Sequence, residues 1–257
     1  MKQNIQHPFI SIIIPVYNPN YNLDKCLESI HKQEFKNYEI LIIQRVNSLK
    51  TIPILNTKKL NFPFKCITTL EVGIYKAMNI GVIEASGKWF LFLGQDDQLA
   101  NNLTFSEVFE KLKHIDKGIA LGKVKIIDKK SILTPSNYQN KISPMIFFKN
   151  TLHHQGILYH SEIFNKIKFD ENLSVLADYK LSLELIKSKI DVSYLDLQIS
   201  ISKGSGISKT FTKQLYTEEK KIKKELLTTS IYYVVLLFIL IKQFVKINFG
   251  NSTNHLI

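Results

Sequence analysis

Apolar runs of four to six residues alternate along this chain with stretches in which apolar residues recur every three or four positions. The first run, Phe9–Ile14, is β-branched and closed by Pro15, which predicts a buried strand ending there. A Pro/Asn turn follows over Pro15–Asn20, then Leu23, Leu27 and Ile30 recur at helical spacing, predicting a helix over Asn22–Gln33. Tyr38–Ile43 is a second buried run. Strand, loop, helix and strand within about 35 residues make a βαβ unit, which requires a parallel sheet with a right-handed crossover.

The same alternation continues. Residues 44–63 read as a loop with one short helix; Phe64–Thr69 reads as a strand, Gly73–Ala85 as a helix and Trp89–Leu93 as another buried strand. Leu103–Leu112 (helix), Ile119–Ile127 (strand), an irregular polar stretch over Asp128–Pro144, and a loop-to-strand passage over Thr151–Tyr159 come next. A short helix over Ser161–Ile167, a turn at Asp170–Asn172, a helix over Asp178–Lys187 and an extended segment over Val192–Ile201 complete the body. Beyond Phe211 a lysine-rich helix is expected to run on into the apolar stretch Ile231–Ile241. The fold class is therefore α/β, a Rossmann-like, mostly parallel central sheet flanked by helices, with a C-terminal helical extension. The expected division is a catalytic body over 1–210 and a basic, apolar tail over 211–257.

Composition narrows this picture in three ways. A 45% hydrophobic content over 257 residues fills a sizeable core, so wholesale disorder is excluded. Two cysteines, Cys26 and Cys66, make neither a disulfide framework nor a metal-ligand set, which fits a reducing, cytoplasmic compartment. Met1–Pro8 is polar and short, so no signal peptide is expected. The formal charge of +12 suits anionic partners, but Arg45 is the only arginine, which argues against a sequence-specific nucleic-acid reader.

Candidate chemistry sits at the end of the strand Trp89–Leu93, where Gly94-Gln95 leads into Asp96-Asp97. In open α/β sheets, ligands bind beyond the carboxyl ends of strands. Adjacent carboxylates there suit a hard divalent ion that bridges to phosphate, or else a simple Asp-Asp turn.

Taken in order, the motifs resemble the family-2 glycosyltransferases, whose catalytic domain has the GT-A fold. The likeness is carried by Ile13-Ile14-Pro15-Val16-Tyr17-Asn18, by Glu71 through Gly81, by Ala85-Ser86-Gly87-Lys88-Trp89 through Asp97, and by His154-Gln155, Ala177-Asp178-Tyr179 and Gly206-Ile207-Ser208. The resemblance implies Asp97 as holder of Mn2+ or Mg2+, with Asp96 at the ribose or supporting the metal. It implies Pro15, Tyr17 and Asn18 at the base and ribose, and Glu71, Gly73, Tyr75 and Asn79 along the donor pocket. His154 and Gln155 would face acceptor or phosphate, and Asp178 would be the catalytic base. From the residues alone, Asp178 reads as a helix N-cap and His154 as a structural histidine. Where the family carries an acidic pair, this chain has Gln44-Arg45, and Gln44 can still bond a base edge through its amide.

The implied activity is metal-dependent, inverting transfer of a sugar from a nucleotide-sugar donor, a UDP-sugar foremost, to a lipid-linked oligosaccharide or surface polysaccharide. Two alternatives stand beside it: a non-catalytic member that scaffolds an assembly complex, and a nucleotidyltransferase of similar topology. The uncharged run Thr228–Ile241 would reach only about 21 Å as a helix, short of the ~30 Å hydrocarbon core. Flanking lysines favour a place at the anionic inner face of the plasma membrane, the other reading being a helix packed on the body or on a second subunit.

Overall fold

The structure, a computed structural model, describes residues 7–17, 21–45, 63–70, 73–128, 135–203 and 212–249. The elements are β1 (Ile10–Val16), α1 (Tyr21–His31), β2 (Tyr38–Arg45), β3 (Lys65–Thr69), α2 (Ile74–Glu84), β4 (Trp89–Phe92) and β5 (Gln98–Leu99). After these come α3 (Thr104–Leu112), β6 (Ile119–Ile127), β7 (Asn137–Tyr138), β8 (Ile157–His160), α4 (Ala177–Lys187), β9 (Val192–Lys203), α5 (Lys213–Leu226) and α6 (Thr229–Phe249). Short 3-10 turns lie at Pro144–Phe147, His154–Gly156 and Ser161–Asn165.

One sheet runs β3-β2-β1-β4-β8-β6-β9-β5, with β7 paired to β6. Its first four strands are mutually parallel, so their carboxyl ends share one edge. The chain leaves β1 toward β2 and β3 and returns to β4 on β1's other flank, which makes the β1/β4 gap the crevice where such sheets bind ligands. β8 is antiparallel to both its neighbours, and β9 is parallel to β6.

Alternation along β1 sorts the core into two layers. Ile12 and Ile14 pack with Leu23, Leu27 and Ile30 of α1 and Phe105 and Val108 of α3. Ile13 faces the other way, toward Tyr75 and Met78 of α2 and the α4–α5 side. Burial on both faces is why these strands read as unbroken apolar runs.

Four expectations are corrected. Pro15 does not stop β1, which runs on to Val16 with Pro15 opposite Ile43. The Ile13 carbonyl accepts from Leu93 N–H, so Pro15, two residues on, turns its missing donor toward the same side, past the last β4 partner, and loses no ladder bond. The stretch 128–144 carries a two-residue strand, β7, on β6. The lysine-rich and apolar helices are not one: Leu227 is extended (φ −104°, ψ 154°) and α6 folds back on α5. Of the loop expected over 44–63, Gln44 and Arg45 belong to β2, and residues 46–62 lie outside the described residues.

Candidate active site

The carboxyl edge of β1, β2 and β4 carries Pro15, Tyr17, Gln44, Asp96 and Asp97. Val16 stands opposite Gln44 at the ends of β1 and β2, and next to them Arg45 lays its guanidinium 4.9 Å from the centroid of the exposed Tyr17 ring. Gln44 is 1% exposed, and its Nε2 finds no hydrogen-bond partner among the described residues; Arg45 Nε is in the same position. Buried donors without partners are costly in a finished core. At a strand end facing a crevice they fit a site shaped for a polar ligand. Pro15 itself is buried in the ladder against Ile43.

Beyond β4 the chain makes a tight turn: Asp97 N–H donates to the Gly94 carbonyl at 3.1 Å, and Gly94 N–H donates to Asp97 Oδ2 at 2.6 Å. A Cβ on Gly94 would stand 2.9 Å from Asp97 Oδ2 and 3.2 Å from Asp96 Oδ1, so both acids lean over a residue that must stay bare. Burial pushes the Asp97 carboxyl above its ordinary range, and the charge of Asp96 adds to that; Ser202 on β9 and the Gly94 amide pull the other way without winning. Asp96 is only half-buried.

Asp178 has the opposite surroundings. It lies in the first turn of α4, with Oδ2 3.0 Å from His154 Nδ1. Tyr75 Oη stands 2.9 Å from Asp178 Oδ1 and 2.8 Å from the Val175 carbonyl, its one proton shared between two acceptors. Burial alone would raise Asp178, but His154, Tyr75 and the Tyr179 backbone N–H outweigh it and hold the carboxyl below its ordinary range. His154 bonds Asp178 directly and favours the ionised forms of both Asp178 and, more weakly, Asp97.

Backbone clasps set these positions. Gly73, at φ +120°, starts α2 and so directs Tyr75 at Asp178. Asn140 bonds His153 through both its backbone groups, at 2.7 and 3.0 Å, which fixes the turn carrying His154. Gln155 is 9% exposed with Oε1 unpartnered among the described residues, while its carbonyl accepts from Ser200 Oγ at 2.8 Å.

Asn79, expected in the donor pocket, spends its amide on the Phe169 backbone (2.9 and 3.1 Å) and on Glu171 Oε1 (2.8 Å), tying α2 to the segment before α4. Tyr75, expected with it, touches Asp178 instead of an open pocket wall. Asn18, Glu71 and Gly206–Ser208 lie outside the described residues. Sequence reasoning missed Asn140, Ser202 and, on α5, Glu218. The last had a signal: it shares a helix face with the apolar Leu215 and Ile222.

The model of Glycosyl transferase family 2 matches residues 11–170. A PGL/p-HBAD biosynthesis glycosyltransferase of Mycobacterium tuberculosis is 27% identical over 249 residues, 93% of this chain and 92% of that one. Staphylococcus aureus TarS 1-349 in complex with UDP-GlcNAc superposes with a TM-score of 0.67 at 18% identity, over 95% of this chain and 74% of that one. This chain spans 44% of the longer TarS chain. The mannosyltransferase PcManGT of Pyrobaculum calidifontis, in complex with GDP-Man and Mn2+, gives 0.59 at 11% identity, over 96% and 77%. These likenesses identify the architecture as the GT-A fold.

Proposed function

Because the chain belongs to Glycosyl transferase family 2 and is a glycosyltransferase, we propose that it moves a sugar from a UDP-sugar to a hydroxyl of a lipid-linked oligosaccharide or surface polysaccharide, in one inverting, metal-dependent step. The observation that carries this reading is Asp178. A buried carboxylate kept ionised by Tyr75 and His154, at the carboxyl edge of a parallel sheet, is placed to take a proton from an incoming hydroxyl. As Asp178 takes the proton, the hydroxyl oxygen would bond to the anomeric carbon while the bond from that carbon to the UDP oxygen breaks and UDP leaves; this single displacement needs no covalent enzyme intermediate and inverts the anomeric centre.

Asp97 and Asp96 fit a divalent cation. Two acids crowd one turn, and Asp97 is raised by burial and by its neighbour's charge, both of which a cation would relieve. Magnesium-type sites take one or two carboxylates and complete their shell with substrate phosphates. When bound, Mn2+ or Mg2+ would supply charge neutralisation at the donor's diphosphate. Gln44 and Arg45, with unpartnered donors, would face the nucleotide, and the exposed Tyr17 ring would flank it. TarS with UDP-GlcNAc and PcManGT with Mn2+ support the donor and metal classes. His154 would hold the acceptor side, beside the base it bonds.

The test is a panel of nucleotide sugars read by mass spectrometry, with and without manganese, on wild type and Asp178→Asn. Transfer is expected to fall roughly 10²–10⁴-fold in the variant, while calorimetric donor binding persists. Full transfer by Asp178→Asn removes the base. No donor binding by the wild type favours a non-catalytic scaffold.

A further inference from the structure

The loop that delivers Asp178 is held by a residue of α5. Helix α4 begins without a side-chain cap of its own at Leu176, and the amides ahead of it need acceptors. All three find one carboxylate: Ser174 N–H donates to Glu218 Oε1 at 2.8 Å, and Val175 and Leu176 N–H donate to Oε2 at 2.9 and 3.0 Å. Glu218 is 7% exposed, and among the described residues no lysine or arginine pairs with it. Its oxygens accept from three backbone amides 42 to 44 residues away in sequence, and Oε1 also from Gln214 Nε2 at a longer 3.4 Å.

The peptide it grips is the one Tyr75 reads. Val175 gives its N–H to Glu218 and receives Tyr75 on its carbonyl, and the same phenol oxygen lies 2.9 Å from Asp178 Oδ1. Val175 is therefore fixed between α5 on one side and α2 on the other, three residues before the carboxylate. A charged acceptor makes shorter, stiffer bonds than a neutral one. Ordinary helix packing would need only the apolar seam that Leu215 and Ile222 already provide.

We infer that Glu218 is a positioning residue for the transfer reaction, setting the height and orientation of Asp178 through the 174–176 backbone. This rests on the reading of Asp178 as the base. Glu218 does not touch substrate. Loosening the loop misplaces the carboxylate against the acceptor hydroxyl, where an error near 1 Å costs on the order of 10²-fold.

Glu218→Gln keeps size but presents an amide donor to one set of backbone donors. Its expected result is a kcat lower by about 10- to 100-fold, with donor KM and calorimetric donor affinity unchanged and faster hydrogen exchange at the Ser174–Leu176 amides. The control is Glu219→Gln, the same change one residue on, which breaks the buried pair with Lys242 instead. That variant should melt earlier and keep kcat. Equal kcat losses in the two variants, a donor KM that rises with the loss, or an unchanged kcat in Glu218→Gln each overturn the inference. Slow exchange at 174–176 in Glu218→Gln overturns it without reference to activity. A wild type that transfers from no donor is a different failure, that of the base itself.

Discussion

Two aspartates in one fold are driven in opposite directions, and the cause is what surrounds each carboxylate. Asp178 is buried yet lowered, because His154, Tyr75 and a backbone amide stabilise its charge; Asp97 is buried and raised, because its donors do not offset burial and a neighbouring acid. For a lowered carboxyl, the stabilisation is present above the unfolded pKa and lost as pH falls through the folded one. Activity that needs ionised Asp178 should therefore persist into acid until that lower value is reached. Tyr75→Phe removes one bond to the charged form, so the acid limb of kcat/KM should move to higher pH; an unmoved limb would mean the phenol does not tune the base. Asp97→Asn removes a buried charge and should melt no earlier than wild type in EDTA. Wild type with saturating manganese and UDP should gain stability, ~2.7 kcal/mol at 100-fold over Kd, and the variant should not. The sequence marked Asp96-Asp97 by itself, as adjacent carboxylates ending a buried strand, and pointed to Asp178 as a base only through likeness to a family. The Tyr75–Asp178 bond was not legible, because it joins residues 103 apart whose meeting depends on where α2 and α4 land.

Among elements, strands buried on both faces were the most readable, since their apolar runs have no other stable use; β6 falls on the expected residues, Ile119–Ile127. Reading failed where local pattern and chain direction separate. Pro15 looks like a terminator, and only the short β4 ladder explains why it is harmless. The apolar run after α5 looks like its continuation, yet Leu227 turns the chain so that Val235 and Ile239 can join the core. The limit expected near residue 210 precedes α5, whose Glu218 holds the α4 loop and whose Lys223 is fully buried. Burial, with Lys242 nearby and Glu219 opposing, brings the Lys223 ammonium down to about 7. A folded pKa below the unfolded one means the unfolded chain binds more protons between those values, so this residue favours folding increasingly as pH rises from about 7 toward the free-lysine range. Tyr179 Oη keeps the Ile146 carbonyl as partner without it. Lys223→Met should therefore raise Tm at pH 6 more than at pH 9. Equal shifts at both pH values would show that the amine is charged in the fold.

At the scale of the whole molecule, two sides of the chain carry unlike burdens. The sheet's carboxyl edge gathers acids and amides, while α6 presents Ile231, Tyr233, Val234, Leu237, Leu240, Ile241 and Phe244 to solvent, between 46% and 65% exposed. Strand order could not be read from the sequence, because every βαβ crossover satisfies the local pattern equally and only packing decides among them. The apolar face was legible as a run, but not as a face, until Val235 and Ile239 were seen to occupy the buried side. Among the described residues no helix is long and apolar enough to cross a membrane. A helix pinned by one seam, with its other faces apolar and Lys220 of α5 held beside Gln243 toward its C-terminal end, suits the headgroup boundary of an anionic bilayer. An acceptor carried on a lipid would then meet the active site in two dimensions. Each of these side chains gains on the order of 1 kcal/mol when its exposed half leaves water. Leu237→Glu with Ile241→Glu should therefore lower partition into vesicles containing anionic lipid by at least about tenfold, while turnover of a soluble acceptor analogue stays near wild type. Should the double variant bind vesicles as before and instead shift from dimer to monomer by sedimentation, the face belongs to a second copy of the chain, and the acceptor reaches the site by another route.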